Sequence, residues 1–177
     1  MKVPDNIVFL GFTSCGKSSV GARVARKLRY RFIDLDHEIQ VLATKHFGKE
    51  RTCREIFQQE GASVFRELEL QCLEEFASQR GVVLSPGGGI VELEESRSAL
   101  RKANYIVYLK ALPETLLERM MYKKGVPAFL KDDPSVENLA SHLAKREASY
   151  EELADLVLQT DGLKLFDVVD MVIENLK

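Results

Sequence analysis

The chain has 177 residues, enough for one domain with a substantial core. It is 45% apolar and 29% charged with a formal net charge of −2, an ordinary globular balance that gives no reason to expect nucleic-acid or membrane binding. No apolar run approaches the roughly 18 residues that span a bilayer, and no basic-then-apolar leader is visible.

The first candidate strand is Ile7–Leu10. It runs into Gly11-Phe12-Thr13-Ser14-Cys15-Gly16-Lys17-Ser18, which fits the phosphate-loop pattern. A helical pattern follows at Val20, Val24, Ala25 and Leu28. Strand, glycine loop and helix form the context that gives the motif its meaning. Glycines let loop N–H groups converge on an anion, aided by the positive end of the helix dipole. Lys17 reaches the outer phosphates, and Ser18 offers a hydroxyl to Mg²⁺. Cys15, Cys53 and Cys72 are odd in number and lack metal-ligand spacing, so they read as reduced thiols in a cytoplasm. Cys15 lies within the loop, so thiol reagents are expected to inhibit and bound nucleotide to protect.

The second strand, Phe32–Ile33, leads to Asp34 and Asp36. If the chain stays extended there, both side chains point the same way. One would support Mg²⁺ through water and the other would receive or orient a substrate hydroxyl. Asp36 also fits as a cap on the next helix. Phe65, Leu68, Cys72 and Phe76 recur at helical spacing and carry Arg66 and Glu69. The third strand, Val82–Leu84, ends at Gly87-Gly88-Gly89, more glycine than a turn requires, where backbone N–H groups are open to a ligand.

Tyr105–Leu109 is a fourth strand. Tyr122–Ser135, with Gly125, Pro127 and Pro134, reads as a mobile excursion of the kind that forms an active-site lid. Arg146 sits on a later helix, followed by a fifth strand at Leu156–Leu158 and an amphipathic helix at Leu165, Val169, Val172 and Leu176. An Arg grips a carboxylate through two parallel bonds, although for Arg66 or Arg146 taken singly a solvated helical ion pair is the commoner use. The alternation indicates an α/β fold with parallel crossovers and helices on both faces of the sheet.

Together these residues resemble the shikimate kinase family. The signature comprises the phosphate loop, Asp34-Leu35-Asp36, Ile56-Phe57 with Gly61, Phe65-Arg66-Glu67-Leu68-Glu69, the triple glycine, and Arg146 four residues before Tyr150. The likeness runs from about Ile7 to Thr160. It implies a nucleoside-monophosphate-kinase-like, three-layer α/β fold with five parallel strands in the order 2-3-1-4-5 and a mobile lid. One P-loop kinase domain would fill residues 1–177, with substrate-binding helices at about 35–78 and the lid at about 119–135.

The resemblance also implies ATP-dependent phosphorylation of the shikimate 3-hydroxyl, toward chorismate and the aromatic amino acids, with Mg²⁺ as cofactor. Gly11, Ser14, Cys15, Gly16, Lys17, Ser18 and Ser19 would hold ATP, and Arg119 would stack on or flank adenine. Lys17 would contact the transferring phosphate, while Ser18 and Asp34 would serve the metal. Asp36 would be the base. Arg66 and Arg146 would bind the carboxylate, Phe57 and Phe65 the apolar side of the ring, and Gly87, Gly88 and Gly89 the substrate through their backbone. A cytoplasmic monomer without nucleic-acid or membrane partners is expected.

Some residues depart from the family pattern. The lid usually reads Arg-Pro-Leu-Leu, but here Val126-Pro127-Ala128-Phe129-Leu130 stands in its place. Losing a transition-state cation costs rate, and the nearby Lys123 and Lys124 lack the planar fork of arginine. Extra residues fall around Ala43–Gly48, Pro86 precedes the glycines, and Ser14 replaces a common loop glycine. Two alternatives stand beside shikimate phosphorylation: a kinase for another small carboxylated polyol such as gluconate, and a kinase-like binding protein without turnover.

Overall fold

The computed structural model describes residues 3–102, 105–122, 127 and 130–176. β1 (Asn6–Leu10) is buried at every position, as a continuous apolar run should be when both faces of a sheet are covered. It pairs in parallel with β3 (Val82–Ser85) and β4 (Tyr105–Lys110), placing Ile7 opposite Val83 on one side and Tyr105 on the other. β2 (Arg31–Asp34) and β5 (Leu156–Gln159) complete the sheet in the order β2-β3-β1-β4-β5, the order that the family resemblance implies. The edge strands are only partly buried, because each has a neighbour on one side alone.

Seven α-helices occur among the described residues. α1 (Lys17–Leu28) follows the glycine loop and packs beside α7 (Leu165–Asn175). α2 (Leu35–Phe47) and α3 (Cys53–Ala77) pack together beyond β2. The extra residues around Ala43–Gly48 form the last turn of α2, closed by Gly48 at φ 67°. α3 starts with a capping box: the Glu55 N–H donates to Thr52 Oγ1, and the Thr52 N–H donates to Glu55 Oε2. It breaks at Gly61, whose φ of 88° is open to glycine and costly for other residues. That break separates the Phe57 segment from the segment carrying Phe65, Arg66 and Glu69.

A 3₁₀ turn (Ile90–Glu92) and α4 (Glu94–Leu100) follow the glycine triplet. α5 (Pro113–Tyr122), α6 (Val136–Leu153) and α7 complete the helices. Of the stretch expected as a lid, Arg119–Tyr122 form the end of α5, and Leu130 is fully buried. Lys123–Val126, Ala128 and Phe129, which include the position of the missing lid arginine, lie outside the described residues.

One local expectation is corrected. The chain does not stay extended through Asp34-Leu35-Asp36. β2 stops at Asp34, whose side chain caps α2 by accepting the Asp36 N–H (3.1 Å), and the helix starts at once with the buried Leu35. The cap is therefore Asp34, not Asp36, and helix geometry sets the direction of the second carboxylate.

Candidate active site

The phosphate loop spans the junction of β1 and α1. Gly11 has φ 142°, and a Cβ there would lie 2.6 Å from both Cys15 Sγ and the Leu109 carbonyl oxygen, so nothing larger fits. Ser14 adopts φ 65°, a left-handed conformation that costs an L-residue about 1–2 kcal/mol. A glycine at this position would carry no such cost. No side chain caps α1, so its first N–H groups remain open to an anion. Lys17 Nζ donates to the carbonyls of Gly11 and Phe12, both at 2.9 Å, and is held at the loop. Ser19 follows at the exposed side of α1, its carbonyl accepting from Arg23.

Cys15 overturns an expectation. The residue is only 2% exposed, its side chain turned beneath Gly11 with Sγ 3.9 Å from Lys17 Nζ. The thiol points inward, while the Cys15 N–H donates to the Phe12 carbonyl (3.2 Å) and its carbonyl accepts from Arg119. Direct attack on this thiol is therefore blocked, and protection by nucleotide loses its basis.

Ser18 Oγ lies 3.2 Å from Asp34 Oδ2 and 3.1 Å from Ser85 Oγ. This all-oxygen group suits a hard cation such as Mg²⁺, which prefers a few protein oxygens supplemented by substrate phosphates. Asp36 stands nearby on α2. Its carboxyl is reached by solvent yet walled by protein, and that desolvation, reinforced by Asp34, raises its pKa, while Lys17 partly offsets the shift. A carboxylate raised toward neutrality is a better general base.

Arg66 and Arg146 come together, although α3 and α6 carry them separately. Arg66 donates to Glu69 (2.7 Å) and to Glu92 (2.9 Å), and Arg146 donates to Glu92 through Nε (2.8 Å) and Nη2. The bland use, a solvated helical pair, does not describe either: their side chains are 21% and 16% exposed. The Glu69 side chain is 3% exposed, and burial raises its pKa against the pull of Arg66. Phe57 is half-exposed and meets Phe65 edge-on with ring centroids 5.8 Å apart, and the Arg146 guanidinium lies 5.2 Å from the Phe12 ring centroid.

The glycine triplet ties these groups together by close approach, not by unusual dihedrals. A Cβ on Gly87 would lie 3.1 Å from Asp36 Oδ1. One on Gly88 would lie 3.2 Å from the Thr13 nitrogen of the phosphate loop, and one on Gly89 would lie 3.3 Å from Arg66 Nη2. Three consecutive positions thus each face a different part of the site. The Gly88 carbonyl accepts the Tyr150 hydroxyl, fixing α6 against the triplet.

Arg119 donates to the carbonyls of Cys15 (3.3 Å) and Thr160 (3.2 Å). It walls a cleft of about 250 Å³ beside the phosphate loop, with Val20, Leu163 and Val168 as apolar lining. A larger hollow of about 540 Å³ lies along α2 and Glu50–Glu55, but it contains none of the loop, acid or arginine groups.

Three contributors escaped the sequence reading. Ser85 sits at the end of β3 opposite Asp34, Thr160 holds Arg119, and Glu92 bridges the arginines. Ser85 was detectable in principle, because polar groups at carboxyl ends of parallel strands face the ligand crevice. Glu92 had no such signal.

Comparison with known proteins places this geometry. The family described as shikimate kinase matches residues 13–177. A shikimate kinase of Chlorobaculum parvum is 35% identical over 177 residues, covering 96% of this chain and 91% of that protein. The solved structure of a shikimate kinase from Acinetobacter baumannii in complex with shikimate superposes with a TM-score of 0.85 at 30% identity, covering 97% of this chain and 92% of that one. A shikimate kinase from Bacteroides thetaiotaomicron gives 0.83 at 30% identity, covering 97% and 98%.

Proposed function

The chain belongs to the shikimate kinase family, and on that premise we propose how its own residues divide the work of the reaction. The reaction is ATP-dependent phosphorylation of the shikimate 3-hydroxyl, yielding shikimate 3-phosphate and ADP, in the route to chorismate. Phosphoryl transfer asks little covalent chemistry of a protein, so positioning and charge neutralisation carry the rate.

Backbone N–H groups of the loop and of the first turn of α1, within Gly11 to Ser19, cradle the phosphates of ATP, and Lys17 exchanges loop carbonyls for the transferring phosphoryl oxygens. Arg119 and the cleft beside it take the adenine. Ser18 and Asp34, with Ser85 beside them, are the residues that would hold Mg²⁺. When bound, Mg²⁺ supplies neutralisation of phosphate charge. Asp36 accepts the proton of the attacking 3-hydroxyl. Arg66 and Arg146 grip the carboxylate, Phe57 and Phe65 cover the apolar side of the ring, and Gly88 and Gly89 offer backbone N–H groups. The site is assembled within one chain, which is consistent with a monomer. ATP supply and free thiols at Cys15, Cys53 and Cys72 suit the cytoplasm.

The observation that best supports this assignment is the glycine triplet, whose three members face Asp36, the phosphate loop and Arg66 in turn. The test is ADP release in a coupled assay with ATP, Mg²⁺ and shikimate, with gluconate as control. Turnover that requires shikimate is the expected result and would mean that the chain works with Val126 where relatives place a lid arginine. Binding of shikimate without turnover would instead mark a silent relative, and turnover with gluconate alone a different substrate.

A further inference from the structure

The two substrate arginines are already occupied by carboxylates of this chain. Glu92 spans them, offering Oε2 to Arg66 (2.9 Å) and Oε1 to Arg146 (2.8 Å). One carboxylate thus joins two guanidiniums through separate oxygens, the arrangement a bound carboxylic acid would make. Glu69 also pairs with Arg66, but the two acids differ in freedom. The Glu69 side chain is 3% exposed on α3, whereas Glu92 is 41% exposed at the end of the 3₁₀ turn. Gly89 makes room for the contact, since a Cβ there would lie 3.3 Å from Arg66 Nη2 and 3.6 Å from Glu92 Oε2.

Charge balance governs the response to a third carboxylate. Two guanidiniums and two carboxylates balance, and adding the substrate's carboxylate leaves an excess negative charge in a half-buried pocket, which is unfavourable. One acid must leave, and only Glu92 has a short path to water.

We propose that Glu92 is a tethered stand-in for the substrate carboxylate, seated on Arg66 and Arg146 without shikimate and displaced when shikimate binds. The inference rests on the assignment of Arg66 and Arg146 as the carboxylate grip. Seated Glu92 keeps two like-charged side chains converged and ready. It also competes, because the apparent Kd equals the intrinsic Kd divided by the fraction of molecules with Glu92 out; nine-tenths occupancy by Glu92 weakens binding about tenfold. A polyol without a carboxylate cannot displace it by exchange, so Glu92 sharpens selection for an acid.

The test is calorimetric titration of the whole protein with shikimate, and separately with ATP, for wild type, Glu92→Gln, Glu92→Ala and Arg66→Ala. Both Glu92 variants should bind shikimate about fivefold or more tightly and show a lower shikimate KM, with ATP affinity unchanged. Unchanged or weaker shikimate binding in both, with wild type binding and Arg66→Ala weakened, would overturn the stand-in and make Glu92 a permanent part of the grip. If wild type does not bind shikimate, or Arg66→Ala binds it equally well, the assignment of the arginines fails and the stand-in fails with it.

Discussion

Gly87 faces Asp36 so closely that a Cβ on the glycine would lie 3.1 Å from the carboxylate Oδ1. Neither backbone strain nor a left-handed φ is involved, so the glycine is there for space. Gly87→Ala must push the Asp36 side chain aside by a few tenths of an ångström, and misplacing a catalytic group by 1 Å costs up to about 10²-fold. A loss of about tenfold in kcat with a near-normal melting temperature is expected. Gly88→Ala meets main chain instead, the Thr13 nitrogen at 3.2 Å, which cannot rotate away. It should weaken ATP binding and destabilise by about 1–3 kcal/mol, read by calorimetry and thermal denaturation.

Asp36→Asn should lower kcat by about 10²–10⁴-fold while largely sparing ATP binding, the usual range for removing a positioned general base. Near-normal turnover would refute its role. Stability should move the other way. Desolvation and Asp34 raise the Asp36 pKa above the ordinary 3.8, so the folded protein binds more protons than the unfolded chain within that window. Stability therefore falls as pH rises through the window, and the cost is complete above it. Asn removes that cost, so Asp36→Asn should melt no lower than wild type at pH 7, and any gain should vanish below pH 3.8. The same shift places the acid limb of kcat/KM above 3.8.

The strands were legible because each is a short apolar run between polar breaks, and the phosphate loop because its chemistry depends on residue types at fixed spacing. Asp34 and Asp36 stand out in the sequence by type and place, but their geometry does not, because strand alternation gives way to a helix cap at Asp34. Glu92 was hidden because Glu92-Leu93-Glu94-Glu95 reads as a solvated acidic stretch. Its meaning depends on α3, α6 and a 3₁₀ turn converging, which no local pattern encodes. The inward thiol of Cys15 was hidden for a similar reason, since the left-handed Ser14 beside it follows no period.

Arg66→Ala should weaken shikimate binding far more than ATP binding, because it removes a charge-assisted pair to the carboxylate. Equal loss for both ligands would make Arg66 structural. The variant also strands Glu69, a nearly buried acid whose pKa burial raises and Arg66 opposes. Without Arg66 that pKa rises further, so the variant loses stability as pH climbs through the Glu69 pKa. Breaking a buried pair costs about 3–5 kcal/mol when fully desolvated. With Arg66 about one-fifth exposed, the deficit should be smaller, and larger at pH 8 than at pH 5. Denaturant titration at the two pH values measures it, and a pH-independent deficit would count against the coupling.

Thiol chemistry should report on the substrate side of the site, not on the nucleotide side. Cys15 and Cys72 are buried, whereas Cys53 at the start of α3 is partly exposed and donates through Sγ to the Asp36 carbonyl at 3.2 Å. Burial, reinforced by the Asp36 carboxylate, pushes the Cys53 thiol up to about 12, so little thiolate exists near neutrality. Labelling with a thiol reagent should therefore be slow and accelerate about tenfold per pH unit between about pH 7 and 9. Mass spectrometry should find the adduct on Cys53. Since bulk there presses on the start of α2 beside Asp36, labelling should lower activity, and shikimate should protect where ATP does not. Fast labelling of Cys15 with protection by ATP would show that the loop turns its thiol outward in solution.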